Sequence, residues 1–335
     1  MNAATCINDD GCMFNVSSRP IRESLAFLAA LLLVFWVLIL TVVVLDDAAV
    51  MVDDMYRPDV LLYTMLAVIV MIPACWVAVR WAGRRPFGSL LSAENRFRWG
   101  VALRALPLVL VVLLAGNVAF LAVSDRGSLS SDATSLVLLA IIALAVPLQA
   151  TAEELVFRGL LPQVVGSWVK SPWLMYGIPL ALFVAGHSYN SVGLIDIAVF
   201  AACLSLLAHR TRGIEIPIVL HVCNNLFAFG MGALGVQNLN QVAYPWVAVL
   251  VSSGTTIIVT ALILADEKLM AMCARAEEPA EEENAPRKHT KHSEERGQQG
   301  GAKANARPGK QQRAGRHPNP APERKQQGKQ QNQRS

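Results

Sequence analysis

The sequence predicts an all-α polytopic membrane bundle of about eight transmembrane helices with a disordered C-terminal tail, and three observations predict it. First, 54% of the 335 residues are hydrophobic and only 16% are charged, whereas a soluble domain carries about a quarter charged residues. Second, the apolar residues gather into runs long enough to cross a bilayer core, which takes about 20 helical residues at about 1.5 Å each. Third, residues 287–335 hold thirteen Lys and Arg but no aromatic or β-branched aliphatic residue, so this stretch cannot bury a core. The composition excludes an ordinary cytosolic enzyme, a secreted disulfide scaffold and a wholly disordered chain.

The runs lie at 25–45, 60–79, 101–123 (interrupted by Arg104), 134–152, 173–188, 193–208, 214–235 and 245–265. The first is too long for the apolar region of a signal peptide and is followed by Asp46 and Asp47, so it reads as a retained anchor. An acidic stretch at 274–283 is expected to prolong the last helix by a few turns. The six cysteines form no CxxC pair and read as small buried hydrophobes rather than as a metal or disulfide frame.

Loop charge alternates along the chain. Arg19 and Arg22 precede the first run; Arg80, Arg84, Arg85, Arg96 and Arg98 separate the second and third. Lys170 follows the fourth, and His209, Arg210 and Arg212 follow the sixth. The intervening loops are acidic or nearly free of basic residues, which places both termini in the cytoplasm. The basic tail suits attraction to anionic lipid, where each Lys or Arg is worth about 1 kcal/mol. It lacks the interleaved aromatics that stack on bases, which argues against nucleic acid as a partner.

Inside a membrane an ionisable side chain is expensive and therefore points to function. The fourth run leads into Glu153-Glu154-Leu155-Val156-Phe157-Arg158-Gly159. Glu154 and Arg158 are four residues apart with acid before base, the favourable helical pairing, while Glu153 points about 100° away and lacks that partner. The fifth run ends with Phe183 and His187 on one face, and the seventh carries His221 and Asn225 one turn apart. Glu with His suits general-base activation of water, and His with Asn suits an oxyanion. Cys223 faces away from His221 and is a poor nucleophile candidate. On a helix starting at Trp173, His187 lies about 20 Å along, whereas His221 is only about 10 Å into its own helix. Either the fifth run begins outside the hydrocarbon or its boundary lies elsewhere. Asp196, in the sixth run, belongs to neither grouping and reads either as a structural acid or as a second proton carrier.

These three groups, EExxxR at Glu153-Glu154-Arg158, FxxxH at Phe183-His187 and HxxxN at His221-Asn225, resemble the motifs of the CPBP intramembrane proteases. These are the CAAX-protease or Abi family, related to CAAX prenyl protease 2. The resemblance covers about 134–229. It implies an intramembrane endopeptidase in which Glu153 and His187 activate water, His221 and Asn225 form the oxyanion hole, and Glu154, Arg158 and Phe183 support them. The substrate would be a peptide or membrane-protein segment met within the bilayer. No cofactor is expected; a zinc ion on Glu153, His187 and His221 is the minority alternative. The implied division is a cytoplasmic segment at 1–24, helices at 25–133, a catalytic core at 134–265 and a tail at 266–335. A non-proteolytic scaffold or bacteriocin-immunity protein would share the fold without the chemistry, but every motif position is filled here. A transporter would spread its polar groups along a path, whereas these are clustered.

Overall fold

The computed structural model describes residues 17–44, 54–123, 128–129 and 132–274, without the side chains of 34–44 and 123. The basic stretch 287–335, with its expected disorder and lipid attraction, lies outside the described residues.

The described residues are mostly helical and contain no strand beyond an isolated bridge between Ser92 and Gly213. The helices are α1 (Pro20–Val44), α2 (Pro58–Ala82), α3 (Trp99–Val123), α4 (Ala133–Val165), α5 (Pro172–Ala185), α6 (Ser191–Thr211), α7 (Glu215–Ala233), α8 (Trp246–Ala265) and α9 (Glu267–Ala274). Among the described residues, α2, α3, α4, α6, α7 and α8 are long and apolar enough to span a membrane. The 25-residue α1 and the shorter apolar α5 take the places of the first and fifth runs. The protein is an integral membrane protein with the all-α architecture its composition predicts.

Local chemistry explains several boundaries. Asp132 caps α4 by accepting from the Ser135 amide at 2.8 Å, and Asn190 caps α6 through Gly193 at 2.9 Å, each satisfying an amide that the helix itself leaves unpaired. Pro58 and Pro172 open α2 and α5, where a missing N–H costs nothing. Two boundaries differ from the sequence reading. The fourth run is expected to stop at 152, yet α4 continues to Val165. Its charged residues neutralise one another inside the bundle instead of ending the helix. The last helix is not prolonged either: α8 stops at Ala265, and Asp266 turns out of helical conformation to cap α9 through the Leu269 amide at 3.0 Å. Of the acidic stretch 274–283, all but Ala274 lies outside the described residues. The same Asp266 accepts from Arg104 at 2.9 Å, which explains how a charge sits near the start of α3.

Packing centres on α4 and α7. They lie against each other, with α2 on the far flank of α4 and α3 on α7, while α8 joins α3 to α6. Leu61, Met65, Leu138, Ile142 and Val146 fill the α2–α4 side, and Val109, Leu204, Leu220 and Val259 fill the α3–α6–α7–α8 side. The outward faces carry large apolar residues such as Leu103, Val111, Leu144 and Leu250, as a lipid-facing surface must. Trp81, Trp99, Trp168 and Trp173 are exposed at helix ends or just beyond them, the usual place for indoles at a membrane–water boundary.

At that end two of the loop arginines turn inward. Arg85 reaches both carboxylate oxygens of Glu23, at 3.1 and 2.8 Å, and donates to Ser89 and Gln163. Arg98 grips Glu215 through Nε and Nη2 at 2.7 and 2.8 Å and adds a bond to the Thr211 carbonyl. Gly213 has no room for a side chain, because a Cβ there would meet both Arg98 and Glu215. These pairs fasten the α2–α3 connection to α1, α4 and α7. Glu215→Ala strands a buried guanidinium and is expected to cost about 3–5 kcal/mol. Thermal unfolding of the detergent-solubilised protein should show the loss, and Arg98→Met with Glu215→Leu should recover most of it. An unchanged midpoint for Glu215→Ala would show the pair to be dispensable.

Candidate active site

The site is built around the point where α4 widens. Leu155–Leu160 forms a π-helical stretch, with the Leu161 amide reaching back five residues to the Val156 carbonyl, a distortion often found at functional sites. Gly159 lets this stretch press against the Leu90 carbonyl, which a Cβ would approach to 3.0 Å. Glu153 and Glu154 end the regular part of α4 just before it.

Glu154 is completely buried, and its Oε1 takes two donors: Arg158 Nη1 at 2.9 Å and His221 Nδ1 at 2.6 Å. A carboxylate accepts, so the Nδ1 of His221 carries a proton. Arg158 is itself held by the Ala201 carbonyl of α6, at 3.3 Å, and by the face of the Phe183 ring of α5, 4.5 Å away. One ion pair within α4 thereby joins α5, α6 and α7. The imidazole of His221 is flanked edge-on by Phe200 at 5.2 Å and Phe183 at 6.2 Å.

Because Nδ1 is committed to Glu154, Nε2 faces the other way. It lies 3.4 Å from Glu153 Oε2, so Glu153 is not without a partner, as the helical wheel alone suggested. Glu153 stands at the edge of a cavity of about 370 Å³ that is also lined by His187, His221 and Asn225. The structure therefore brings all four candidate residues to one space.

His187 follows the end of α5 and its Nδ1 is 2.8 Å from the Phe183 carbonyl. A carbonyl can only accept, so Nδ1 bears a proton, and in the neutral imidazole Nε2 keeps a lone pair. Phe183 also bridges the offset in depth between the two imidazoles, with its ring 4.7 Å from His187 and 6.2 Å from His221. Asn225 accepts from Asn224 Nδ2 and donates to Gln149 Oε1, both at 3.3 Å, which fixes the direction of its amide and leaves it a second N–H.

Four contributors were not singled out by the sequence reading: Gln149, Phe200, Tyr189 and Tyr244, all on the cavity wall. Gln149 did leave a signal, as a polar residue one turn before Glu153 in an otherwise apolar run. Tyr189 sits in the α5–α6 connection, where burial first, and the charges of Glu153 and Asp196 second, push its hydroxyl above the ordinary tyrosine range. Asp196 lines the same cavity and accepts from the buried Ser253 at 2.6 Å. Both His221 nitrogens face carboxylates, Nδ1 toward Glu154 and Nε2 toward Glu153.

Fold and site together define a polytopic membrane protein with a carboxylate, two imidazoles and a carboxamide around one cavity. Comparison with known families then places its core. Residues 133–227 match the family described as "Type II CAAX prenyl endopeptidase Rce1-like"; the match spans α4 to α6 and α7 past Asn225. A protein of Bacillus subtilis (strain 168) described as "Uncharacterized protein YyaK" is 29% identical over 167 residues, covering 47% of this chain. The chain spans 56% of that relative's length. No solved structure matches the chain significantly.

The two adjacent glutamates should differ sharply on substitution. Glu154→Ala leaves Arg158 buried without its counter-charge and is expected to destabilise by about 3–5 kcal/mol. Glu153→Gln, at the cavity edge, should leave the unfolding midpoint nearly unchanged. Equal midpoints for the two variants, measured in the same detergent, would contradict this assignment.

Proposed function

We propose that the protein is an intramembrane endopeptidase that hydrolyses peptide bonds of a peptide or membrane-protein substrate with an activated water. The observation that carries this reading is the convergence of Glu153, His187, His221 and Asn225, from α4, the end of α5 and α7, on one cavity. In this reading 134–265 is the catalytic core and 25–133 its helical support. Both termini are cytoplasmic, in keeping with the basic loops.

The division of labour follows from which atoms accept and which donate. Glu153 and the bare Nε2 of His187 are acceptors, so a water donating one hydrogen to each presents a lone pair to a carbonyl carbon. As the C–O bond forms, Glu153 takes the proton. The oxygen of the former carbonyl becomes an oxyanion that needs donors, and the second N–H of Asn225 is one. His221 is the other when Nε2 is also protonated. In that state Glu153 and Glu154 are balanced by Arg158 and His221, two anions against two cations, so the cluster carries no net charge in a low-dielectric site. Collapse of the tetrahedral intermediate breaks the C–N bond, and Glu153 returns its proton to the leaving amine. Donors of this kind are worth about 3–4 kcal/mol when water is excluded.

The coarse reading of a CAAX-type protease rests on the Rce1-like match; the residue roles rest on the geometry. Membrane and secreted peptides from wild-type and Glu153→Gln cells, compared by mass spectrometry, identify the substrate as a peptide that appears only with the wild type. Glu153→Gln and His187→Ala are each expected to lower cleavage of that substrate at least about 100-fold. A Glu153→Gln protein that inserts normally and cleaves at the wild-type rate would remove the proposal.

A further inference from the structure

Asp196 is not used by this mechanism. It lies on α6, one turn and a half from the Asn190 cap, and lines the same cavity as Glu153. Its Oδ1 accepts from the Ser253 hydroxyl of α8 at 2.6 Å. No Lys or Arg lines the cavity, and Asp196 makes no ion pair among the described residues. Every other described carboxylate deep in the bundle meets a cationic or ionisable base: Glu23 has Arg85, Glu215 has Arg98, Glu154 has Arg158, and Glu153 has His221. A hydroxyl hydrogen bond orients a carboxylate but does not balance its charge.

Two tyrosines stand beside it. The Tyr189 and Tyr244 rings meet edge to face at 5.4 Å, and Tyr189 in turn lies 5.9 Å from His187. The tyrosine wall therefore joins the catalytic side of the cavity to the Asp196 side, and the Tyr189 hydroxyl feels both carboxylates. The wall is held in place. Asn190 donates to the Tyr244 carbonyl and accepts from its amide, both at 3.2 Å, and Gly193 packs so closely that a Cβ would come within 2.9 Å of Tyr189 and 3.1 Å of Tyr244. A carboxylate and two aromatic rings on one cavity that no Lys or Arg lines form an environment that receives a cation from a ligand.

We propose that Asp196, Tyr189 and Tyr244 form a subsite for a cationic group of the substrate, a Lys or Arg side chain or a free α-ammonium, close to the scissile bond. This rests on the peptidase reading above and adds a substrate class to it: peptides with a positive charge near the cleavage point. Asp196 supplies the counter-charge, the tyrosine rings supply polarisable faces, and the buried Ser253 hydroxyl fixes one oxygen of the carboxylate.

The test uses the full chain in lipid nanodiscs and matched apolar decapeptides, with Lys or norleucine scanned through each position. N-acetylated and free-amine versions separate a side-chain cation from a terminal one. Binding is measured by calorimetry to Glu153→Gln, which removes the other cavity carboxylate, and to the same protein with Asp196→Asn or Asp196→Glu added. At least one Lys or free-amine peptide should bind about tenfold tighter than its neutral counterpart, the size expected for one charge-assisted contact. Asp196→Asn should erase that preference and Asp196→Glu should keep most of it. Equal binding of charged and neutral peptides, or a preference that survives Asp196→Asn, would overturn the subsite. Cleavage by the wild type is read separately. A cationic peptide that binds in an Asp196-dependent way but is never cut would count against the peptidase reading while upholding the subsite.

Discussion

The buried carboxylate of Glu154 is the point on which the rest of the site depends. One oxygen accepts from Arg158 on its own helix and from His221 on α7, and each partner constrains something further. Arg158 reaches the α6 backbone and the Phe183 ring, so the relative placement of α4, α5 and α6 is tied to one guanidinium. His221 has its protonated nitrogen turned inward and its other nitrogen turned to the cavity. A lone charge in this position would cost several kcal/mol. The pair persists because the desolvated anion has two donors and the guanidinium has an anion, a carbonyl and an aromatic face. The same arrangement that anchors the bundle also sets the tautomer of an imidazole, so fold stability and chemistry share one set of contacts.

The two adjacent glutamates divide roles by position. On a helix neighbouring side chains point about 100° apart, so one is turned into the core and the other toward the cavity. Glu154 is fully enclosed, whereas 14% of the Glu153 side chain is exposed. The π-helical stretch that follows takes up the local misfit, and Gly159 lets it lie against the Leu90 carbonyl. The cavity chemistry is thus produced by ordinary helix geometry applied to two identical side chains. Asp196, which lines the same cavity without an ion-pair partner among the described residues, gives that cavity a second acid that the hydrolytic groups do not require.

Much of this was legible in the sequence, and the limits have physical reasons. The Glu154–Arg158 pair is a local i,i+4 contact and could be read directly, as could the shared faces of Phe183 with His187 and of His221 with Asn225. The number and order of apolar helices followed from run length, and the Rce1-like match falls on the segment carrying the three motifs. The contact of His221 with Glu154 spans 67 residues and exists only because α4 packs on α7, which no spacing rule reveals. The apolar run was ended at 152 by its charges although helix was read on through Arg158; the further course of α4 to Val165 follows because those charges are compensated inside the bundle. Arg85 and Arg98 were read as loop charge facing water. Their buried partners Glu23 and Glu215 lie 62 and 117 residues away along the chain.

The central claim is that Glu154 holds His221 with its Nδ1 proton turned inward and its Nε2 facing Glu153. Nitrogen-15 NMR of protein labelled at histidine reads this most directly, with His221→Asn used to assign the signals. The account predicts a protonated, strongly hydrogen-bonded Nδ1 at His221 that loses this signature in Glu154→Gln. A His221 that carries its proton on Nε2 alone, with an unprotonated Nδ1, would contradict it.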